Sequence, residues 1–165
     1  MAFESGKATQ GGDGDRPSSR DDAIRLLARR EYSRHEIESR LSAKGHAHED
    51  VAACLDALAE QGLQSDERFA EHFVRSRIQR GQGPRKVRAE LDQRGVARET
   101  ATQALEDAEV DWYQLAAETL ARRFSGPGDA PKGRAKRERF LAGRGFEFDQ
   151  IKHALAHAWD APEDD

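Results

Sequence analysis

The chain has 165 residues, 36% hydrophobic and 35% charged, with aromatics at only 7% and a net charge of −4. Its single cysteine, Cys54, excludes an intrachain disulfide, a Cys-rich zinc site and a CxxC redox pair. No apolar run reaches the length of a membrane span, and the first residues, MAFESGKATQGGDGDRPSSR, lack the apolar stretch of a signal peptide, so a soluble cytoplasmic protein is expected.

Residues 1–19 are rich in Gly, Ser and Asp and are expected to form a disordered tail. Beyond them, abundant Ala, Leu, Arg and Glu favour helix over strand. A first helix is expected to open near Asp21-Asp22, where acid suits the exposed amides of a helix start, with Ile24, Leu27 and Ala28 inward. A second opens at Ser33-Arg34-His35-Glu36, a capping box in which Ser33 accepts from the backbone and Glu36 reaches back. It turns Ile37 and Leu41 inward and ends at Gly45. A third carries Val51, Cys54, Leu55 and Leu58 at i, i+3, i+4, i+7. Together these make a three-helix unit over residues 20–64.

The pattern then recurs over residues 65–110. Ser65-Asp66-Glu67 opens a helix with Phe69, Ala70, Phe73, Val74 and Ile78 inward. Gly83-Pro84 opens the next, proline standing at the first helical position, with Val87 and Leu91 inward and Gly95 as terminator. Ala101, Ala104, Leu105 and Ala108 form the third stripe. A last unit spans residues 111–159. It begins at Asp111 with Trp112, Leu115, Ala116, Leu120 and Phe124 inward. The break SGPGDAP at 125–131 reads either as an elbow or as a loop that touches a partner. Gly133 and Gly145 bound the middle helix, with Phe140 and Leu141 inward and Arg137 where the other units carry Ile37 and Val87. Ile151, Ala154, Leu155 and Ala158 close the unit, and residues 160–165 form an acidic tail.

The recurrence has a period of fifty residues. Leu41, Leu91 and Leu141 share a column, as do Gly45, Gly95 and Gly145, each glycine preceded by Lys44, Arg94 or Arg144. Leu55, Leu105 and Leu155 share another; Val51, Ala101 and Ile151, and Cys54, Ala104 and Ala154, keep the same register. Ser33, Gly83 and Gly133 mark the phase upstream. Short helices of this kind are marginal alone and must pack on their neighbours, so the fold expected is an all-α array of three tandem three-helix repeats, a helical solenoid.

Charge is segregated on this array. Arg75, Arg77, Arg80, Arg85, Lys86, Arg88 and Arg94 face only Glu90 and Asp92 within residues 75–94. Lys132, Arg134, Lys136, Arg137, Arg139 and Arg144 face only Glu138 within 132–144. Two basic stretches on a near-neutral body point to an anionic partner, with a solvated helical face as the alternative reading. Arg85, Lys86 and Arg88, which the helical period turns away from Val87 and Leu91, are the first contact candidates. Arg77 and Arg80 follow, then Arg75, Arg94, Lys132, Arg134, Lys136, Arg137 and Arg144. Arg29 and Arg30 are either contacts or solubilising charge. The acidic tail is expected to compete for these cations. Catalysis is not expected. His153 and His157 stand at i, i+4 without an HExxH carboxylate, and His46 and His48 flank a helix junction. Cys54 lies on an apolar stripe, and Gly81-Gln82-Gly83 lacks the setting of a phosphate loop. No cofactor or metal is expected.

Ser65-Asp66-Glu67-Arg68-Phe69-Ala70-Glu71, then Phe73-Val74-Arg75-Ser76-Arg77, Gly83-Pro84, Val87-Arg88-Ala89-Glu90-Leu91 and Arg94-Gly95-Val96, resemble the signature stretch of the RecX family. Ala28-Arg29-Arg30-Glu31-Tyr32-Ser33 through Leu41 is similar to the family's first repeat, and Lys136 to Phe146 to its third. The resemblance covers residues 20–159. It implies an elongated, curved body of three three-helix units that lies along the RecA filament on single-stranded DNA and mainly inhibits its ATPase, extension and strand exchange. It also implies binding to single- and double-stranded DNA with little sequence preference. A monomer without membrane attachment is expected. The rival readings are a stand-alone helix-turn-helix DNA-binding protein and a helical scaffold that binds protein only.

Overall fold

In the computed structural model, which describes residues 16–161, the described residues form nine α-helices and no strand. These are α1 (Ser19–Leu27), α2 (Arg34–Ala43), α3 (His48–Glu60), α4 (Asp66–Gln79), α5 (Pro84–Gln93), α6 (Arg98–Asp107), α7 (Trp112–Arg123), α8 (Lys132–Gly143) and α9 (Phe148–His157). None of these helices is long and apolar enough to cross a membrane. The chain divides after Phe69 into two compact units.

In the first unit, Ser33 and Glu36 make the expected capping box, and Ile37, Leu41, Val51, Leu55 and Leu58 are buried with Ala23 and Tyr32. Cys54 packs half-buried against this core, and burial pushes its thiol pKa up, as befits a small core residue. The start of α1 differs from the sequence expectation. Ser18 and Ser19, assigned to the tail, are the cap and first residue of the helix, with Ser18 and Asp21 forming a second capping box. The inward face is Ser19, Asp22, Ala23, Leu26 and Leu27, whereas Ile24 is 40% exposed and Ala28 is exposed. An apolar template skips this face because two of its members are polar. The rest of the expected tail, residues 1–15, lies outside the described residues, as do 162–165 of the acidic tail.

Asp22 explains why α1 sits with a carboxylate inward. Its oxygens meet His46 Nε2 at 2.6 Å and Lys44 Nζ at 3.3 Å, so a buried acid ties α1 to the turn after α2. The His46 hydrogen bond, aided by Lys44, holds the Asp22 pKa below its ordinary value against the opposing effect of burial. A depressed carboxylate pKa adds stability that is present above the unfolded value and lost as pH falls through the folded one. Asp22→Asn should therefore cost about 2 kcal/mol at neutral pH, and the gap between variant and parent should narrow as pH drops below the ordinary carboxylate range. Thermal melts of both proteins from pH 7 to pH 3 check this; a gap constant with pH would remove the ionised Asp22 from the account.

In the second unit, Val87, Leu91, Ala101, Ala104 and Leu105 are buried in the middle repeat. Ala116, Ala117, Leu120, Leu141, Phe146, Ile151 and Ala154 form the core of the last. Asp111 caps α7 by accepting from Tyr113 and Gln114 amides. The two repeats meet at a backbone crossing. The α5 start has no side-chain cap, and Pro84 has no N–H. Instead Gly83 N–H donates to Arg144 C=O at 2.7 Å and Arg85 N–H to Gly145 C=O at 3.0 Å. The orphan amides at one helix start are thus satisfied by orphan carbonyls at the end of α8, positive dipole end against negative. Gly145 lies at φ +93, and a Cβ on Gly83 would fall on the Phe146 amide and the Gly145 carbonyl. Both glycines are needed for the approach itself.

Candidate functional site

The surface built by α5 and α6 collects the candidate cations. Pro84 and the Gly83 cap start α5, Val87 and Leu91 anchor its inner side, and the outer side is left to Arg85 and Arg88. A shallow groove runs between this side and α6, lined by Arg85, Arg88, Ala89, Asp92, Val96, Arg98 and Ala101. Arg88 Nη1 donates to Thr102 Oγ1 at 3.0 Å, which orients its guanidinium across the groove. Among the described residues none of Arg85, Arg88 and Arg98 is ion-paired with a carboxylate, so three guanidinium groups stand over a small apolar floor. Such a surface can hold phosphates or carboxylates through charge-assisted hydrogen bonds. Arg98 was not singled out by sequence because it lies past the 75–94 stretch; the signal is its place on the first turn of α6, facing back to α5.

The other candidates divide into exposed and internally engaged groups. Arg75, Arg80, Lys132, Lys136 and Arg29 are exposed, and Lys86 is half-buried beside the Gly145 turn. Arg134 is exposed and pairs with Glu138 at 3.3 Å. Arg77 is drawn inward: it pairs with Glu90 at 3.1 Å and, with Arg94, brackets the Phe73 ring at 4.5 and 4.9 Å. Arg144 donates to Arg80 C=O and lies over Phe140. Arg30 bonds Glu31 C=O, pairs with Glu36 at 3.3 Å and sits 3.5 Å over Tyr32. Arg137 is the furthest from a free contact. Its Nε donates to Gly126 C=O at 2.8 Å, Nη1 donates to Gly133 C=O at 2.9 Å, and the guanidinium covers Phe124 at 4.3 Å. It thereby holds the 125–131 segment against α8, in the column where the other repeats place Ile37 and Val87.

His153 and His157 lie 4.7 Å apart between centroids with their rings tilted by 42°, Tyr113 meets His153 edge-on, and His157 Nδ1 lies 2.7 Å from Asp160. Among the described residues no cluster of three or more His, Cys, Asp and Glu side chains is placed to hold an ion.

Comparison with known proteins gives these repeats a context. Residues 20–58 match the family model described as RecX, first three-helix domain; residues 65–105 match the second, and residues 109–155 the third. The chain is 65% identical over 141 residues to the Regulatory protein RecX of Chromohalobacter salexigens, covering 86% of this chain and 93% of that one. It is 49% identical over 140 residues to that of Halorhodospira halophila, covering 84% and 87%. The crystal structure of RecX from Lactobacillus salivarius superposes with a TM-score of 0.71 at 23% identity, covering 85% of this chain and 94% of that one, which supports the all-helical repeat fold.

Proposed function

The chain belongs to the RecX family of regulatory proteins, and from that premise we propose that it binds the RecA filament on single-stranded DNA and inhibits ATP hydrolysis, filament extension and strand exchange. The observation that carries the contact surface is the α5–α6 groove, where Arg85, Arg88 and Arg98 present guanidinium groups that, among the described residues, no carboxylate neutralises. A nucleoprotein filament offers phosphates and carboxylates, and both fit this chemistry. Binding is through backbone phosphates and carries little sequence preference. Arg77, Arg94, Arg137 and Arg30 are each engaged within their own repeats, so Arg85, Lys86 and Arg88, joined by Arg98, head the contact set, with the exposed Arg75, Arg80, Lys132, Lys136 and Arg29 behind them.

The test is RecA ATPase on single-stranded DNA, with and without the protein. The parent should suppress hydrolysis. The variant Arg85→Ala/Lys86→Ala/Arg88→Ala should fold, because alanine favours helix and keeps the Lys86 Cβ that faces Gly145. Exposed contacts worth about 1 kcal/mol each would together weaken inhibition by roughly a hundredfold. A helical, cooperatively melting variant with undiminished inhibition would move the contact surface to another repeat. DNA affinity of the parent should fall steeply with salt and vary little between sequences; a flat salt response, or strong preference for one duplex sequence, would favour a different mode of recognition.

A further inference from the structure

The groove between the middle and third helices occurs twice in the second unit, and its two versions have opposite character. A shift of fifty residues carries Arg88, Ala89, Asp92, Arg98 and Ala101 onto Glu138, Arg139, Ala142, Phe148 and Ile151. In the last repeat, α8 and α9 enclose a cleft of about 350 Å³ whose floor and wall are Ala142, Phe148, Ile151 and Leu155. Phe148 occupies the position of Arg98 and is 80% exposed. Arg134, Arg139 and Lys152 stand on the rim with Glu138, which Arg134 neutralises at 3.3 Å. Among the described residues Arg139 and Lys152 have no partner. The carboxylates beside Phe148 are occupied: Glu147 in a capping box with Gln150, and Asp149 by the Tyr113 hydroxyl.

We propose that this α8–α9 cleft is a second, separate docking site, which takes a large apolar side chain from an acidic protein segment. An 80% exposed phenylalanine continuous with an apolar cleft is costly to leave in water, and its burial under a partner's side chain removes that cost. The rim selects the surroundings of that side chain, since the unpaired Arg139 and Lys152 attract carboxylates and repel basic segments. Beside Phe148 the apolar lining is aliphatic, Ala142, Ile151 and Leu155, which suits an apolar side chain, whereas a nucleobase would find Phe148 as its one aromatic stacking surface. The site is independent of the α5–α6 surface and of the filament reading.

The test uses the full chain and a fluorescein-labelled peptide in which aspartates and glutamates flank a central Leu-Phe pair, followed by fluorescence anisotropy. Replacing the Leu-Phe pair by serines, or the acids by their amides, should weaken binding about tenfold each. Phe148→Ser and the double reversal Arg139→Glu/Lys152→Glu should weaken it to the same extent. All of these positions are exposed, so far-UV circular dichroism should match the parent for every variant, and Phe148→Ser, which changes no charge, should leave DNA binding unchanged. Binding that ignores both protein variants would overturn the proposal. So would oligothymidylate that competes in a Phe148-dependent way, which would make the cleft a nucleic-acid site. Sedimentation velocity supplies a further arm: dimerisation abolished by Phe148→Ser would assign the cleft to a second copy of this chain and overturn it as well.

Discussion

Gly145→Ala should destabilise the second unit by about 3 kcal/mol or more, combining about 1–2 kcal/mol of left-handed strain with two backbone hydrogen bonds worth about 1 kcal/mol each. The new Cβ would fall on the Cβ of Lys86 and within 2.6 Å of its backbone nitrogen, so relief requires moving the α5 backbone and not merely a side-chain end. Movement there breaks the Gly83–Arg144 and Arg85–Gly145 hydrogen bonds and takes from the buried Gly83 its amide's acceptor. A melting temperature lower by more than about 10 °C is expected. Gly62→Ala is the matched control. It shares a positive φ, +76, but nothing lies within 4 Å of its added Cβ, so it bears strain without collision. Equal losses at the two sites would refute the role of the backbone crossing.

Leu91→Ala should cost about 2–5 kcal/mol of folding stability, since the side chain is wholly buried and its removal leaves a cavity. Leu91→Met, which keeps volume, should cost less than about 1.5 kcal/mol. Urea denaturation of the three proteins checks the order. A small loss for alanine with no change in the slope of the transition would mean that the site collapses around the missing atoms, against the tight packing expected of a column that repeats as Leu41, Leu91 and Leu141, all at 0% exposure.

The repeated leucine and glycine columns were legible because both signals are local. Leucine every fifty residues marks the inner face of α2, α5 and α8, and Gly45, Gly95 and Gly145 all carry the positive φ that a helix-ending glycine adopts. What sequence left open involves residues whose role is set by distant partners. Asp22 turns inward because His46 and Lys44 meet it, a fact no apolar template contains. Gly83 reads as a simple helix opener before Pro84, yet its want of a side chain serves the Arg144–Phe146 backbone. Charge counting placed Arg77, Arg94 and Arg137 with Arg85 and Arg88, although the first group spends its cationic faces on Phe73 and Phe124. Arg137 did carry a warning: a cation in a column of Ile37 and Val87 had to be accounted for, and the carbonyls of Gly126 and Gly133 account for it. Phe148 escaped notice because it begins its helix outside the apolar stripe of α9.

The joint between α5 and α8 also fixes an order of maturation. A ribosome delivers Gly83 and Arg85 about sixty residues before the Arg144 and Gly145 carbonyls that will receive their amides. Until those carbonyls emerge, the start of the helix bearing Arg85 and Arg88 frays, because neither Gly83 nor Pro84 supplies a cap of its own. A stalled or truncated nascent chain ending before Gly145 would therefore display the arginines on an unfinished helix, and the start of α5 is completed only once the middle helix of the last repeat has been made.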